Sequence, residues 1–281
     1  MLCNRRDLLL ALAAGAIPAF AKFGGVAIGL SGTMESFAQA EAAGFDYFEP
    51  HVDVLSTLSD EAFAAIRKQV QSSRIRCECF NNLIRTLKVV GPDVDPKALH
   101  AYMDRMLDRC RELGAQIVVY GSAGSRNVPA GFARDTAWNQ IKEFLNDSGD
   151  LARSKGIVLA VEPLRHPDSN IINTGAEGLR LVNEINHPNV KLIIDYYHMR
   201  SEKEDSEILV RAASRIVHLH FANPTGRKWP KSPDEDPEYG RFFALMKQIH
   251  YQKRLSIEGR GSVDADSAAS LEFFRHYLSP A

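Results

Sequence analysis

Side chains that bind cations recur at the ends of four apolar runs in the second half of the sequence. The runs LAVEP, KLIID, VHLHF and LSIEG end on or next to Glu162, Asp195, His220 and Glu258. Helix capping would explain one such carboxylate, because Asp is a common N-cap residue. If Asp195 caps a helix, His198 lies in the first turn of that helix. Capping does not explain four successive endings, so we expect these side chains to share a site.

Two glutamates, one aspartate and one histidine form a suitable donor set for a divalent cation. Oxygen-rich ligands with a single imidazole suit Mn²⁺, Mg²⁺ or Co²⁺ better than they suit a thiolate-bound structural zinc. The alternative is a buried carboxylate cluster paired with Arg or Lys, but three carboxylates without a cation would repel one another. We therefore predict that one divalent metal ion binds to Glu162, Asp195, His220 and Glu258.

The elements that would position these residues alternate between strand and helix. Eight apolar strand patterns cover residues 24–30, 45–50, 76–80, 116–121, 157–163, 190–195, 215–223 and 254–259. This alternation predicts an α/β fold of parallel βαβ units, and eight units indicate a (β/α)₈ TIM barrel. A doubly wound open sheet is the alternative, but GLSG at 29–32 does not supply the G-x-G-x-x-G turn of that fold. We predict that residues 22–281 form one catalytic domain.

The carboxyl ends of barrel strands form a single face, and active sites of this fold lie there. The candidate ligands end the last four predicted strands, so the barrel would bring them together. The Pro-rich stretch 224–240 follows the seventh strand on the same face. It is too long for a simple connection, and we interpret it as an active-site loop or lid that carries Arg227 and Trp229.

Other polar residues near the same face have less certain roles. Glu49 and His51 follow the second strand, and they either line the pocket or form a stabilising pair at the barrel rim. Arg126 follows the fourth strand and is a candidate for binding an anion or a hydroxyl group. His218 lies two residues before His220, deeper in the barrel, and is expected to be a packed, hydrogen-bonded residue rather than a ligand.

The N-terminus has the pattern of a secretory signal. Arg5 and Arg6 precede an apolar run from Leu8 to Ile17 and an Ala-Phe-Ala site that ends at Ala21. Paired arginines indicate the twin-arginine route, so we predict that residues 1–21 are cleaved and that the protein is exported to the periplasm or the extracellular space. An uncleaved membrane anchor or a disordered tail is the alternative.

The overall composition argues against some classes of partner. The 281 residues include 34 Lys plus Arg and 35 Asp plus Glu, which gives a net charge of −1. Nucleic-acid binding requires a basic surface, so no nucleic-acid partner is expected. After processing of the N-terminus no membrane association is expected either. The oligomeric state stays open, with a homo-oligomer as one outcome.

The endings VEP, IIDYYH, VHLHF and SIEG, in this order, resemble the sugar phosphate isomerase/epimerase family of xylose-isomerase-like TIM barrels. Ketose 3-epimerases, hydroxypyruvate isomerases and inosose-processing enzymes are among its members. The resemblance covers the chain from about residue 24 to the end. It implies an isomerase with a small carbohydrate substrate, in which the four matching residues hold the metal and Glu162 and Glu258 are also the acid–base pair. It further implies that His198, Arg227 and Asp168 contact the substrate, although ketose epimerases carry glutamate at the position of Asp168.

The chemistry implied by this resemblance is the movement of a proton next to a carbonyl group through an enediolate, which a divalent cation stabilises. Two other functions stay open. A lyase could use the same metal site to eliminate the aglycone from 3-keto glycosides, and a non-catalytic sugar-binding protein could keep the pocket alone. Apurinic endonucleases share the barrel, but the net charge and the few histidines at strands two to four argue against that class.

Overall fold

The computed structural model describes residues 23–279. The predicted signal peptide, residues 1–21, lies outside the described residues. Within the described residues no helix combines the length and the apolar character needed to cross a membrane.

The predicted TIM barrel is confirmed. All strand pairs within the sheet are parallel, and the strands follow the order β2-β1-β8-β7-β6-β5-β4-β3. Isolated bridges from Phe48 to Cys77 and from His51 to Asn81 join β2 to the β3 region and nearly close the barrel. The strands are β1 (Ala27–Gly32), β2 (Tyr47–Pro50), β3 (Cys79–Phe80), β4 (Ile117–Tyr120), β5 (Val158–Val161), β6 (Val190–Asp195), β7 (Ile216–Phe221) and β8 (Arg254–Ile257).

Helices surround the barrel and also form short turns at its carboxyl face. Short 3₁₀ helices lie at Met34–Ser36 and Pro233–Glu235. The α-helices are α1 (Phe37–Ala43), α2 (Val52–Thr57), α3 (Asp60–Ser72), α4 (Pro96–Leu113), α5 (Ala123–Arg126), α6 (Arg134–Ser154), α7 (Gly175–Ile185), α8 (Tyr196–Ser201), α9 (Ile208–Arg211), α10 (Tyr239–Gln248) and α11 (Val263–Leu278).

Local sequence signals set several helix ends. The side chain of Ser59 accepts a hydrogen bond from the backbone N–H of Ala62 and caps α3. Asp95 caps α4 in the same way, immediately before Pro96, which suits the first helical position because it has no N–H to satisfy. Gly114 ends α4 with a φ of 104°, a left-handed conformation that glycine adopts without steric cost.

Alternating strand positions supply two separate apolar layers. One layer lies between the strands and the helices, and a smaller cluster drawn from the strands includes Ala27, Tyr47 and Ile193 inside the barrel. The Tyr47 ring occupies space next to β1 because residue 29 is glycine. A Cβ atom at Gly29 would lie 2.2 Å from that ring.

The third strand is shorter than predicted. The pattern at 76–80 indicates five strand residues, but only Cys79 and Phe80 form a regular ladder with β4. The backbone of this segment divides its hydrogen bonds between two neighbours. The carbonyl of Arg76 accepts from the N–H of Phe48 in β2, whereas the carbonyl of Glu78 accepts from Ile117 in β4. Single bridges of this kind do not form a continuous strand.

Candidate metal centre

The four predicted ligands lie together at the carboxyl ends of β5 to β8. One ligand atom from each of Glu162, Asp195, His220 and Glu258 lies within 4.8 Å of the others. His220 is central, because its Nδ1 atom is 2.9 Å from Oε1 of Glu162 and 3.0 Å from Oε2 of Glu258. The two glutamates follow the last residues of β5 and β8 directly, so they approach the imidazole from opposite sides of this four-strand segment.

Asp195 uses its two carboxylate oxygens differently. Oδ1 accepts hydrogen bonds from the backbone N–H groups of Tyr197 and His198 and so caps α8. Oδ2 is buried and accepts no hydrogen bond from the described residues. Its polar neighbours include the guanidinium of Arg227, at 3.5 Å, and the imidazole of His198, at 3.7 Å. Asp195 is therefore an N-cap and also presents a free oxygen to the cluster.

The electrostatics of the cluster favour added positive charge. Burial, followed by the nearby charge of Glu258, raises the pKa of Glu162. Burial also raises the pKa of Asp195, to about 6. Burial opposes ionisation of Glu258 as well, but Arg227 and His220 outweigh it and hold its pKa well below the usual range. A buried oxygen without a hydrogen bond, three carboxylates and one imidazole nitrogen together fit a divalent cation.

The residues predicted to contact substrate surround the same cavity, which has a volume of about 460 Å³. His198 is buried in its wall, and burial lowers the pKa of this histidine to about 4, which leaves the ring neutral near pH 7. Asp168 also lines the cavity, but its carboxylate pairs with Arg165 at 2.8 Å. Arg227 completes the set and lies 2.6 Å from Oε2 of Glu258.

The segment that carries Arg227 is hydrogen-bonded to the end of β8, and Trp229 within it is buried rather than open to the cavity or to solvent. The N–H of Arg260 donates to the carbonyl of Arg227 at 2.7 Å, and the N–H of Trp229 donates to the carbonyl of Arg260 at 3.2 Å. The Trp229 ring is buried, and its Nε1–H donates to the carbonyl of Gly259. A Cβ atom at Gly261 would lie 2.5 Å from the ring, so glycine at this position lets the two segments pack closely.

Arg126 does not face the cavity, contrary to its interpretation as a candidate for binding an anion or a substrate hydroxyl. Its side chain is fully buried. The guanidinium donates to the backbone carbonyl of Tyr120 at 3.0 Å and to that of Glu162 at 2.6 Å. Arg126 thus links the ends of β4 and β5 from behind the cavity. His51 occupies the N-cap position of α2 and is not among the residues that line the cavity.

Two further side chains support the cluster. Asn81 has no predicted role there, whereas Glu49 is predicted either to line the pocket or to form a stabilising pair with His51 at the barrel rim. Asn81 follows β3 directly, and its Nδ2 donates to Oε1 of Glu258 at 2.6 Å. The strand-end position that identified the ligands would also have identified this residue. Glu49, from β2, is buried below the cluster and lies 2.9 Å from Nε2 of both His218 and His220. Sequence position places Glu49 at the barrel face but does not reveal its partners.

Comparisons with characterised proteins agree with this barrel. An L-ribulose 3-epimerase of Methylomonas sp. (strain DH-1) is 27% identical over 248 residues, which cover 85% of this chain and 82% of that protein. A 3-dehydro-D-guloside 4-epimerase of Escherichia coli (strain K12) is 26% identical over 239 residues, with 81% and 87% covered.

Solved structures share the fold at lower sequence identity. A D-psicose 3-epimerase crystallised in the presence of D-fructose superposes with a TM-score of 0.79 at 19% identity, and the match covers 91% of this chain and all of the other. The IOLI protein with a bound zinc atom superposes with a TM-score of 0.72, also at 19% identity and with the same coverage.

The family model described as xylose isomerase-like TIM barrel matches residues 37–277, which is most of the chain and includes all four residues of the cluster. The chain belongs to the xylose isomerase-like TIM barrel family.

Proposed function

We propose that this protein is a metal-dependent sugar epimerase or isomerase that moves a proton on a carbon next to a carbonyl group. The observation that carries the proposal is the position of Glu162 and Glu258, whose carboxylates lie within about 3 Å of the same imidazole nitrogen and line one cavity. Epimerisation requires a base and an acid that can both reach one substrate carbon, and two carboxylates in one cavity meet this requirement.

The relatives support the reaction class. The Methylomonas protein is an L-ribulose 3-epimerase, the Escherichia coli protein is a 3-dehydro-D-guloside 4-epimerase, and a Bacillus velezensis relative at 24% identity is an inosose isomerase. All three names describe a rearrangement of a carbohydrate next to a carbonyl group. We infer a small carbohydrate substrate of the same chemical kind for this chain.

The proposed metal ligands are Glu162, Asp195, His220 and Glu258. A divalent cation bound there would stabilise the negative charge that develops on the substrate oxygens when the proton leaves carbon. The fit rests on the donor set and on the buried Oδ2 of Asp195. Mn²⁺, Mg²⁺ and Co²⁺ suit these ligands, and the bound zinc of the IOLI structure makes zinc a fourth metal to test.

The side chains would divide the proton transfer between the two faces of the substrate. One of Glu162 and Glu258 takes the proton from carbon, and the other returns it to the opposite face in an epimerase or to the neighbouring carbon in an isomerase. Asn81 and Arg227 hold the Glu258 carboxylate in place through hydrogen bonds of 2.6 Å each. His198, Asp168 and Arg227 line the same cavity, and we propose that they hold substrate hydroxyl groups.

Proton NMR in D₂O tests this proposal with a panel of ketoses and 3-keto glycosides. We expect deuterium to enter one carbon-bound position of a substrate as the epimer or isomer appears, and we expect exchange to stop after removal of the metal with a chelator. Appearance of a free aglycone would instead identify the lyase. Binding of a sugar without any exchange would identify the non-catalytic protein and contradict the proposal.

A further inference from the structure

Glu49 occupies an unusual place for a carboxylate. Its side chain is fully buried inside the barrel, one strand layer above Tyr47, and it contacts two histidines of β7. Burying a carboxylate is costly unless hydrogen bonds satisfy both of its oxygens. The proposed reaction does not use Glu49, which lies beneath the cavity rather than in its lining.

The hydrogen bonds of His220 divide between its two ring nitrogens. Nδ1 faces Glu162 and Glu258, and Nε2 lies 2.9 Å from Oε1 of Glu49. A metal-binding imidazole must offer a nitrogen lone pair, so the other nitrogen must carry the ring proton. In this geometry Nδ1 is the nitrogen that faces the cluster, and the Nε2–H group needs an acceptor inside the barrel. Glu49 supplies that acceptor.

The Glu49 carboxylate cannot turn away from His220 without losing its other contacts. Oε2 accepts from the hydroxyl of Ser256 and lies 2.9 Å from Nε2 of His218. The Ser256 hydroxyl is in turn 2.7 Å from the hydroxyl of Tyr47. On the far side of its ring, His218 has Nδ1 at 3.1 Å from the carbonyl of Arg254. This buried network starts on β2, crosses to β7 and β8 and holds Oε1 toward His220.

We propose that Glu49 is a positioning residue that holds His220 as the Nε2–H tautomer and so directs Nδ1 to the metal. The inference rests on the metal site of the proposed function. Carboxylates that orient a metal-binding histidine typically contribute 10–100-fold to metal affinity. The segments EPH (49–51) and HLH (218–220) are far apart along the chain, and the parallel pairing of β2 with β1, β1 with β8 and β8 with β7 brings them together.

Three variants test the role of Glu49. Glu49→Leu places an apolar side chain of similar size at this position and removes the acceptor. Glu49→Gln keeps an acceptor oxygen for His220 and is the conservative rescue. Tyr47→Phe is the matched control, because it removes one hydroxyl from the same buried network and leaves both Glu49 oxygens bonded. Each protein is labelled with ¹⁵N-histidine, and His220→Gln assigns the His220 signals.

Two measurements are made on each variant. Long-range ¹H–¹⁵N correlation spectra report which ring nitrogen of His220 carries a proton, with and without Zn²⁺. Competition with a chelator gives the Zn²⁺ affinity. We expect a protected Nε2–H in wild type, in Tyr47→Phe and in Glu49→Gln. In Glu49→Leu we expect loss of that signal and a 10–100-fold lower affinity.

An Nδ1–H tautomer in the Zn²⁺-treated wild type would overturn the inference, as would an unchanged Nε2–H in Glu49→Leu. The wild-type spectrum keeps the test decisive if Glu49→Leu does not fold.

A wild type that binds no metal would contradict the proposed function, and the spectra of the metal-free proteins would still decide whether Glu49 holds the His220 proton. A further outcome is that Glu49→Leu and Tyr47→Phe lower the melting temperature equally and leave the spectra unchanged. That result would show a merely structural role for Glu49 and would overturn the proposal.

Discussion

Asp195 shows how one residue serves the fold and the site together. One of its oxygens caps α8, and the other is buried without a hydrogen bond from the described residues and faces the cluster. Capping and ligation are therefore compatible explanations of an aspartate at a strand end. Glu162 also has two roles, because its backbone carbonyl accepts a hydrogen bond from Arg126 while its carboxylate contacts His220.

Gly121 leaves room for the Glu162 carboxylate, because a Cβ atom there would lie 1.9 Å from Oε2 of Glu162. We predict that Gly121→Ala displaces this carboxylate and lowers divalent-metal affinity by at least about tenfold, the typical effect of disturbing the support of a ligand. Isothermal titration calorimetry with Mn²⁺ measures the change.

Gly124 provides the matched control for Gly121. A Cβ atom at Gly124 would meet no atom within 4 Å, although it belongs to the same strand-end segment. Gly124→Ala should therefore keep the wild-type metal affinity. Equal affinities for the two variants and wild type would show that Glu162 is not held by this close approach.

Residue type and position were enough to predict the four-residue cluster, because each member ends a strand with a strongly apolar pattern. Asn81, directly after β3, shows the same strand-end position, but an amide alone does not indicate that its partner is the Glu258 carboxylate. Arg126 was misinterpreted because a sequence does not show that a side chain turns inward to backbone carbonyls. The partners of Glu49 depend on the pairing of β2, β1, β8 and β7, and no local sequence pattern indicates them.

At the scale of elements, the connection after β7 is organised by its contacts with the end of β8. Backbone hydrogen bonds between Arg227, Trp229 and Arg260 hold the first part of this connection against the barrel rim. Arg227 has a φ of 53°, an unfavourable backbone conformation for arginine that these contacts stabilise. The interpretation of 224–240 as an active-site loop or lid rests on its length and proline content, and neither shows that its first residues are anchored.

Trp229 anchors this segment, so its removal should affect substrate binding through Arg227. We predict that Trp229→Ala raises KM for the sugar about tenfold, equivalent to a loss of about 1.4 kcal/mol. Metal affinity should change less than KM, because Glu258 keeps its hydrogen bond from Asn81 when Arg227 is displaced. Steady-state kinetics and metal titration measure the two effects separately.

Trp229→Phe is the control for the anchor. It keeps an aromatic ring in the buried site and loses only the hydrogen bond to the carbonyl of Gly259. We expect a smaller rise in KM for this variant. An unchanged KM in Trp229→Ala would mean that Arg227 holds its position without the anchor or does not contact substrate.

At the scale of the whole molecule, metal binding should stabilise the barrel. The proposed ligands come from four strands, and a ligand that binds only the folded state adds about 2.7 kcal/mol to the free energy of unfolding at 100 times its Kd. For a protein of this size we predict a rise in melting temperature of roughly 5–10 °C when Mn²⁺ is added to metal-free protein. Scanning calorimetry measures it, and His220→Ala should abolish the rise. A wild-type melting temperature that does not respond to any of the four metals would contradict the metal site.

Export is a separate prediction for the whole chain, and it depends on residues outside the described part. Arg5 and Arg6 are the feature that the twin-arginine route reads, so changing both to Lys should retain the protein in the cytoplasm. Cell fractionation and N-terminal sequencing of the exported protein test this, with residue 22 as the expected first residue. Unchanged localisation would refute the signal, and residues 8–17 retained in a membrane fraction would favour an anchor.

The most direct test of the central claim is deuterium exchange in Glu162→Gln and Glu258→Gln, with the metal content of each variant measured in parallel. The account predicts that each change abolishes formation of the epimer or isomer, because general acid–base groups typically contribute about 10²–10⁴-fold. It also predicts that one metal-loaded variant still exchanges a substrate hydrogen with D₂O, because the remaining carboxylate can remove and return a proton on its own face. Full turnover in both single variants would contradict the proposed glutamate pair.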